Sequence, residues 1–276
     1  MRAIDLHHVG IEHVICTYEH DGVLIDPGPE SCLDTLLEAL GGEAPRAVLL
    51  THIHFDHAGA SGSLARRFGV PIYVHERGAR HMADPAKLVS SATRLYGEEG
   101  MRRLWGEVVP VPEEHLRVLH GGETVLGHRV AYAPGHASHH VVYLHEDAGH
   151  AFTGDVAGAR IPPSDLVLAP TPPPDVDVAA WERSLDVLAG WEPAALCITH
   201  FGVVEDVGGQ LEGTREALHR QAALAEEHDL DGFVAAMRAH VEANADPASA
   251  RALLLAAPPD HLYLGLERWR RKQHAA

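Results

Sequence analysis

Val48-Leu49-Leu50-Thr51-His52-Ile53-His54-Phe55-Asp56-His57-Ala58-Gly59 places three histidines and one aspartate within six residues. Upstream, Ala47 to Leu50 is short, apolar and partly β-branched, and it is preceded by Gly41, Gly42 and Pro45. That is the pattern of a buried strand. Downstream, Gly59 to Phe68 turns to small residues and then to a helical pattern, so the cluster caps a step from strand to helix. In an extended turn, residues two apart point the same way, which directs His52, His54 and Asp56 toward one spot with His57 beside them. Imidazole and carboxylate donors suit Zn²⁺, Fe or Mn, and the sulfur-rich sets of structural zinc sites are absent. A lone histidine would more simply cap a helix or sit on a wet loop. Four donors at this spacing after a buried strand point instead to a metal.

The segment resembles the T-H-x-H-x-D-H signature of the metallo-beta-lactamase-fold hydrolase superfamily. The resemblance implies three more ligands in fixed order, and the chain supplies Pro134-Gly135-His136, Gly154-Asp155 and Thr199-His200. It also implies an α/β fold, the four-layer αβ/βα sandwich. Two divalent metal ions per chain are implied, Zn²⁺ first, with Fe or Mn also suited to the donors. His52, His54 and His136 would hold one ion, Asp56, His57 and His200 the other, and Asp155 would bridge them. The implied chemistry is attack of a metal-activated hydroxide on an ester or thioester carbonyl, with Asp56 as the catalytic residue that orients the hydroxide or takes its proton. True beta-lactamases of this fold usually lack the His57 equivalent or use a cysteine at the bridge. The overall organisation is closer to glyoxalase II-like thioesterases (hydroxyacylglutathione hydrolase-like) and to signal-response proteins with a helical cap. Other readings are a lactonase, although no tyrosine follows Asp155 in the position such enzymes use, and a metal-containing sensor of a small signal without significant turnover.

Composition narrows the partners. The chain has 276 residues, 46% of them hydrophobic, enough for one large core with or without an appended subdomain. A formal charge of −17 argues against a nucleic-acid surface, because phosphate contacts require clustered Lys and Arg. The expected partner is a small-molecule substrate, with no nucleic acid and no membrane, and a homodimer is compatible with the sequence. Cys16, Cys32 and Cys197 show no C-x-x-C spacing, which speaks for a reducing compartment. With no signal-peptide pattern at Met1 to Asp5 and no apolar run of membrane-spanning length, the reading is cytoplasmic.

Along the chain, residues 3–8, 12–18 and 22–25 read as a meander of strands ending in Leu24-Ile25-Asp26-Pro27-Gly28. The resembling family packs a similar turn beneath the metal loop, which implies that Asp26 supports a ligand imidazole or the loop backbone. An alternative role for Asp26 is to bond its own turn. Glu30 to Leu40 reads as a helix, Pro71 to Val74 as a strand, and 76–106 as a helical insertion that either overhangs the site or decorates the core. A second strand set is expected at 116–119, 123–126, 129–133, 141–145, 151–153 and 194–198, with a helix from Val178 to Leu188. His140, four places after His136, matches a supporting histidine of the family pattern, and His139 has no assigned role. Six prolines between Ile161 and Pro174 suit a rigid pocket wall or a surface strap. Residues 1–206 form the expected catalytic domain and 207–276 a helical subdomain, whose basic end, Arg268 to Lys272, suits a helix dipole. His7, His8, His13, His20, His75, His81, His115 and His120 read as ordinary surface or strand-edge residues.

Overall fold

The computed structural model describes residues 1–275. Its first sheet takes its strands in chain order: β1 (Arg2–Asp5), β2 (Cys16–His20), β3 (Val23–Ile25), β4 (Ala47–Leu49), β5 (Ile72–His75) and β6 (Leu116–Leu119). The first three are antiparallel, and β3 to β6 run parallel. β4 lies inside the parallel part with both faces covered, which is why its residues form an unbroken apolar run.

The second sheet contains β7 (Thr124–Val125), β8 (His128–Tyr132), β9 (Val141–His145) and β10 (His150–Gly154). After a small hairpin of β11 (Ala159–Arg160) and β12 (Val167–Leu168), it gains β13 (Ala195–Ile198) and β14 (Gly202–Val204). Its order is β14-β13-β10-β9-β8-β7, with β10 and β13 parallel.

Strand alternation makes the layers. Cys16, Tyr18, Val23, Ile25 and Leu49 face the second sheet and pack against Val141, Tyr143, Phe152 and Cys197. Their neighbours Leu24, Val48, Val142, Leu196 and Ile198 join the larger core under the helices. Burying a side chain such as Phe152 contributes roughly 1.5–3 kcal/mol. Two tyrosines tie the sheets together: Tyr18 Oη donates to the Ile198 carbonyl and Tyr143 Oη to the Leu50 carbonyl, each at 2.7 Å. The outer layers are α1 (Leu33–Ala39), α2 (Phe55–Ala58), α3 (Ser61–Phe68), α4 (Glu76–Ala83) and α5 (Ala86–Trp105), then α6 (Val178–Gly190) and α7 (Val207–Glu227). α8 (Leu230–Asn244), α9 (Pro247–Ala256) and α10 (Pro259–Ala275) complete the chain. Asp206, Asp229 and Asp246 each accept a backbone N–H from the first turn of the helix that follows, which is what starts α7, α8 and α9 so cleanly.

The expected αβ/βα sandwich is therefore present, with local corrections. The strand expected over 3–8 stops at Asp5, and residues 6 to 15 are irregular apart from a short turn at His8–Gly10. The helix expected from Glu30 begins as a tight turn, Glu30–Cys32, before α1. The proline-rich segment contains a strand, β12, that its composition hid. His8 and His75 are buried rather than on the surface: His8 stacks on Trp105 at 5.4 Å and His75 on Tyr132 at 4.7 Å. The three cysteines are free and buried. Among the described residues, no helix is long and apolar enough to cross a membrane.

Candidate metal centre

β4 ends at Leu49, and two residues later the polar groups of Thr51 turn to Asp26 instead of continuing the strand. Asp26 Oδ1 accepts the Thr51 N–H at 2.8 Å and Oδ2 accepts the Thr51 hydroxyl at 2.6 Å. The extended stretch continues only to His54, and residues 55 to 58 form α2. The expected alternation therefore holds for His52 and His54, whose Nε2 and Nδ1 atoms lie 3.0 Å apart, and fails for Asp56. Asp56 and His57 instead share a helical turn that carries both toward His200.

All seven expected residues are brought together. His136 Nε2 lies 2.9 Å from His54 Nδ1. Asp155 stands between the groups, 3.1 Å from His57 Nε2, 3.4 Å from His136 Nε2 and 3.5 Å from His200 Nε2. Asp56 Oδ2 is 3.4 Å from His200 Nε2. His52, His54 and His136 make one set of converging donors, and Asp56, His57 and His200 make another.

Four of the five imidazoles, all but His54, are held by the far nitrogen. Nδ1–H of His57 donates to Asp26 Oδ2 at 2.9 Å, that of His136 to the Pro170 carbonyl at 2.8 Å, and that of His200 to the Val14 carbonyl at 2.6 Å. The Thr51 hydroxyl, having donated to Asp26, accepts Nδ1–H of His52 at 3.1 Å. In the neutral ring this fixes one tautomer and turns the Nε2 lone pair toward the centre. His57 Nε2, His200 Nε2 and Asp155 Oδ1 are buried without a hydrogen-bond partner. Such orphaned donors and acceptors are rare in a folded protein. Nitrogen lone pairs about 3 Å apart suit a shared ion with bonds of about 2.0–2.1 Å, so the residues fit divalent metal.

Charge balance divides the centre. Burial lowers the pKa of His52 and His136 and pushes His54 down to about 4, so these three are neutral donors at pH 7. Burial acts the same way on His57 and His200, but the carboxylates of Asp155 and Asp56 outweigh it and raise both. Burial would raise Asp56 and Asp155, yet His57 and its neighbouring histidines hold both carboxyls well below the usual range.

Two glycines set the approach. Gly154 has φ +50°, and a Cβ there would lie 2.4 Å from Thr51 Oγ1. Gly135, before His136, would place a Cβ 2.3 Å from the Trp181 backbone. His140 supports as expected: its ring stacks on His52 at 4.7 Å, and its Nε2 accepts the Asp155 N–H at 3.4 Å. His139, which the sequence left without a role, lines the cavity over the centre.

That cavity has a volume of about 1010 Å³. The insertion roofs it, because α5 packs Trp105, Met101 and Leu88 on Phe55, the residue beside Asp56. Pro170, Pro172, Pro173 and Pro174 form one wall, the first of the two roles the proline-rich composition left open. The basic tail does more than face a helix dipole: Arg268 Nε and Lys272 Nζ both donate to the Pro174 carbonyl at 3.1 Å, bracing that wall. The sequence reading missed Tyr96, His261 and the cations Arg77, Arg80, Lys87 and Arg94, all of which line the cavity. The pairing of Tyr96 with His261 across 165 positions leaves no local trace in the sequence.

Residues 13–200 match the metallo-beta-lactamase superfamily. The chain belongs to that family. It is 31% identical over 137 residues to the probable metallo-hydrolase YqgX of Bacillus subtilis, covering 49% of this chain and 60% of the relative. It is 29% identical over 204 residues to a hydroxyacylglutathione hydrolase of Thiobacillus denitrificans, covering 71% and 63%. The chain thus spans about 60% of the length of these relatives. The crystal structure of ST1585, a metallo-beta-lactamase superfamily protein of Sulfolobus tokodaii, superposes with TM-score 0.70 over 98% of both chains at 22% identity, a likeness of fold. TTHA1623, solved in a di-iron-bound form, superposes with TM-score 0.55 at 28% identity, covering 72% of this chain and 93% of that one.

Proposed function

We propose that this family member is a binuclear metallohydrolase acting on an ester or thioester carbonyl, of the hydroxyacylglutathione hydrolase kind. The observation that carries the reading is Asp155, within 3.5 Å of histidines from both donor sets, the position a carboxylate needs to join two ions. His52, His54 and His136 would hold one ion and Asp56, His57 and His200 the other. Bound there, divalent ions supply Lewis acidity, acidifying water and offsetting negative charge that develops on a carbonyl oxygen.

The chain's own residues do the rest. Asp56 is the least buried carboxylate of the centre and faces the cavity, and its ionised state suits it to accept a proton from attacking water. His57, Asp26 and Thr51 form a buried relay of hydrogen bonds that keeps the donors in register. Trp105, Phe55 and Tyr96 give an acyl group an apolar roof that excludes water. Arg77, Arg80 and Arg94 give an anionic leaving group, such as a glutathione or coenzyme A thiol, a cationic rim within a strongly acidic protein.

The test is a panel of thioesters, esters, lactones and phosphoesters offered to the zinc-, iron- and manganese-loaded protein. The expected outcome is turnover of anionic thioesters, lost in Asp56→Asn. Stabilisation by these compounds without turnover would favour a sensor instead, and preferred cleavage of lactones a lactonase.

A further inference from the structure

A second group of histidines stands at the opposite ends of the strands that carry the catalytic loops. His20 closes β2 in the first sheet, while His128 opens β8 and His145 closes β9 in the second, directly paired with each other. One ring nitrogen from each lies within 4.8 Å of the other two. The His145 ring sits 4.2 Å from that of His20 and 4.9 Å from that of His128. Val141, at the other end of β9, donates its N–H to Thr51 of the metal loop at 2.8 Å. Four residues of strand, about 13 Å, separate the two places.

The nitrogens are prepared for a ligand. His128 is buried, and its Nδ1–H donates to the Leu126 carbonyl at 2.9 Å, which leaves Nε2 as a lone pair without a partner. His20 Nδ1 is likewise buried and without a partner. Burial pushes His128 down to about 4 and lowers His20, so both are neutral donors at pH 7. His145 Nδ1 accepts the Ala148 N–H at 3.2 Å. Binding through its Nε2 moves the ring proton to Nδ1 and gives up that one long bond. Three imidazoles around a point, two of them half-buried beside solvent, match the three-nitrogen set that Zn²⁺ accepts with water completing the shell.

We propose that His20, His128 and His145 form a separate site for a single divalent transition-metal ion, Zn²⁺ foremost, that staples the two sheets together at the end remote from the catalytic centre. Because His20 belongs to one sheet and its partners to the other, the ion would act as a cross-link of the sandwich.

The test compares tag-free wild-type protein with His20→Asn and His145→Asn, each dialysed to saturation against Zn²⁺ and analysed for ions per chain. Both variants are expected to bind one ion fewer than wild type. Their zinc-dependent rise in Tm should be smaller by about 5 °C, the shift expected for loss of one well-occupied site in a protein of this size. Equal ion counts in wild type and both variants would overturn the proposal, whatever the count at the catalytic centre.

Discussion

The carboxylate of Asp26 accepts the Nδ1 proton of His57 at 2.9 Å while its other oxygen holds the Thr51 backbone N–H at 2.8 Å, so one buried aspartate fixes both a ligand ring and the start of the metal loop. Asp26→Asn keeps the volume and removes the charge that orients His57. Ion affinity is expected to fall about 10- to 100-fold, read by competition with a chelator. Asp26→Ala also strands three buried donors and should cost a further ~3 kcal/mol in denaturant unfolding. An Asp26→Ala protein with unchanged affinity and stability would remove this residue from the account.

Gly154 lets the chain turn Asp155 toward the centre. In Gly154→Ala the added methyl meets Thr51 Oγ1 and the His140 ring, both buried, on a backbone whose φ disfavours a side chain. The protein should lose ions together with several degrees of Tm. Full ion content in a folded Gly154→Ala protein would show that the approach of β10 to Thr51 is not what sets Asp155.

The two donor sets differ in charge before an ion arrives. His52, His54 and His136 have pKa values lowered by burial, while Asp155 and Asp56 raise those of His57 and His200. Ions can bind only deprotonated rings, so loading at pH 7 should release protons, and these should come from the second set. Calorimetric titration in buffers of different ionisation enthalpy measures this directly. Heats independent of buffer would mean that His57 and His200 are already neutral.

His8 offers a test of stability against pH. Its folded pKa, pushed down by burial to about 4, lies below its ordinary 6.5. The folded state therefore favours the neutral ring. Its contribution is complete above pH 6.5 and is lost as pH falls from 6.5 toward 4, at most about 3 kcal/mol. A His8→Gln protein should show a flatter loss of Tm across that window than wild type, and an equal slope would place the acid sensitivity elsewhere.

Much of this was legible because the chemistry is local. His52 through His57 lie on one loop, and His136, Asp155 and His200 each follow a recognisable turn or strand end. The strands announced themselves as short apolar runs between turn residues, and the helices beyond Asp206 through their apolar faces. What escaped was set by distance or burial. His8 looks like any polar residue near an N-terminus until Trp105 covers it. Asp56 looks extended by its spacing, yet the bonds from the backbone of residues 57 and 58 to the His54 carbonyl curl it into a helical turn. The cationic rim of the cavity is hidden in a chain of net charge −17, because Arg77, Arg80, Lys87 and Arg94 stand singly along the insertion and form no basic run.

The central claim, that Asp155 joins two ions held by the two histidine sets, is tested most directly by anomalous scattering from crystals of the zinc-loaded protein. Two peaks about 3.5–4 Å apart are predicted, flanking the Asp155 carboxylate, one beside His52, His54 and His136 and the other beside Asp56, His57 and His200. A single peak between these residues at full zinc loading, or peaks with Asp155 outside the coordination shell, would contradict it.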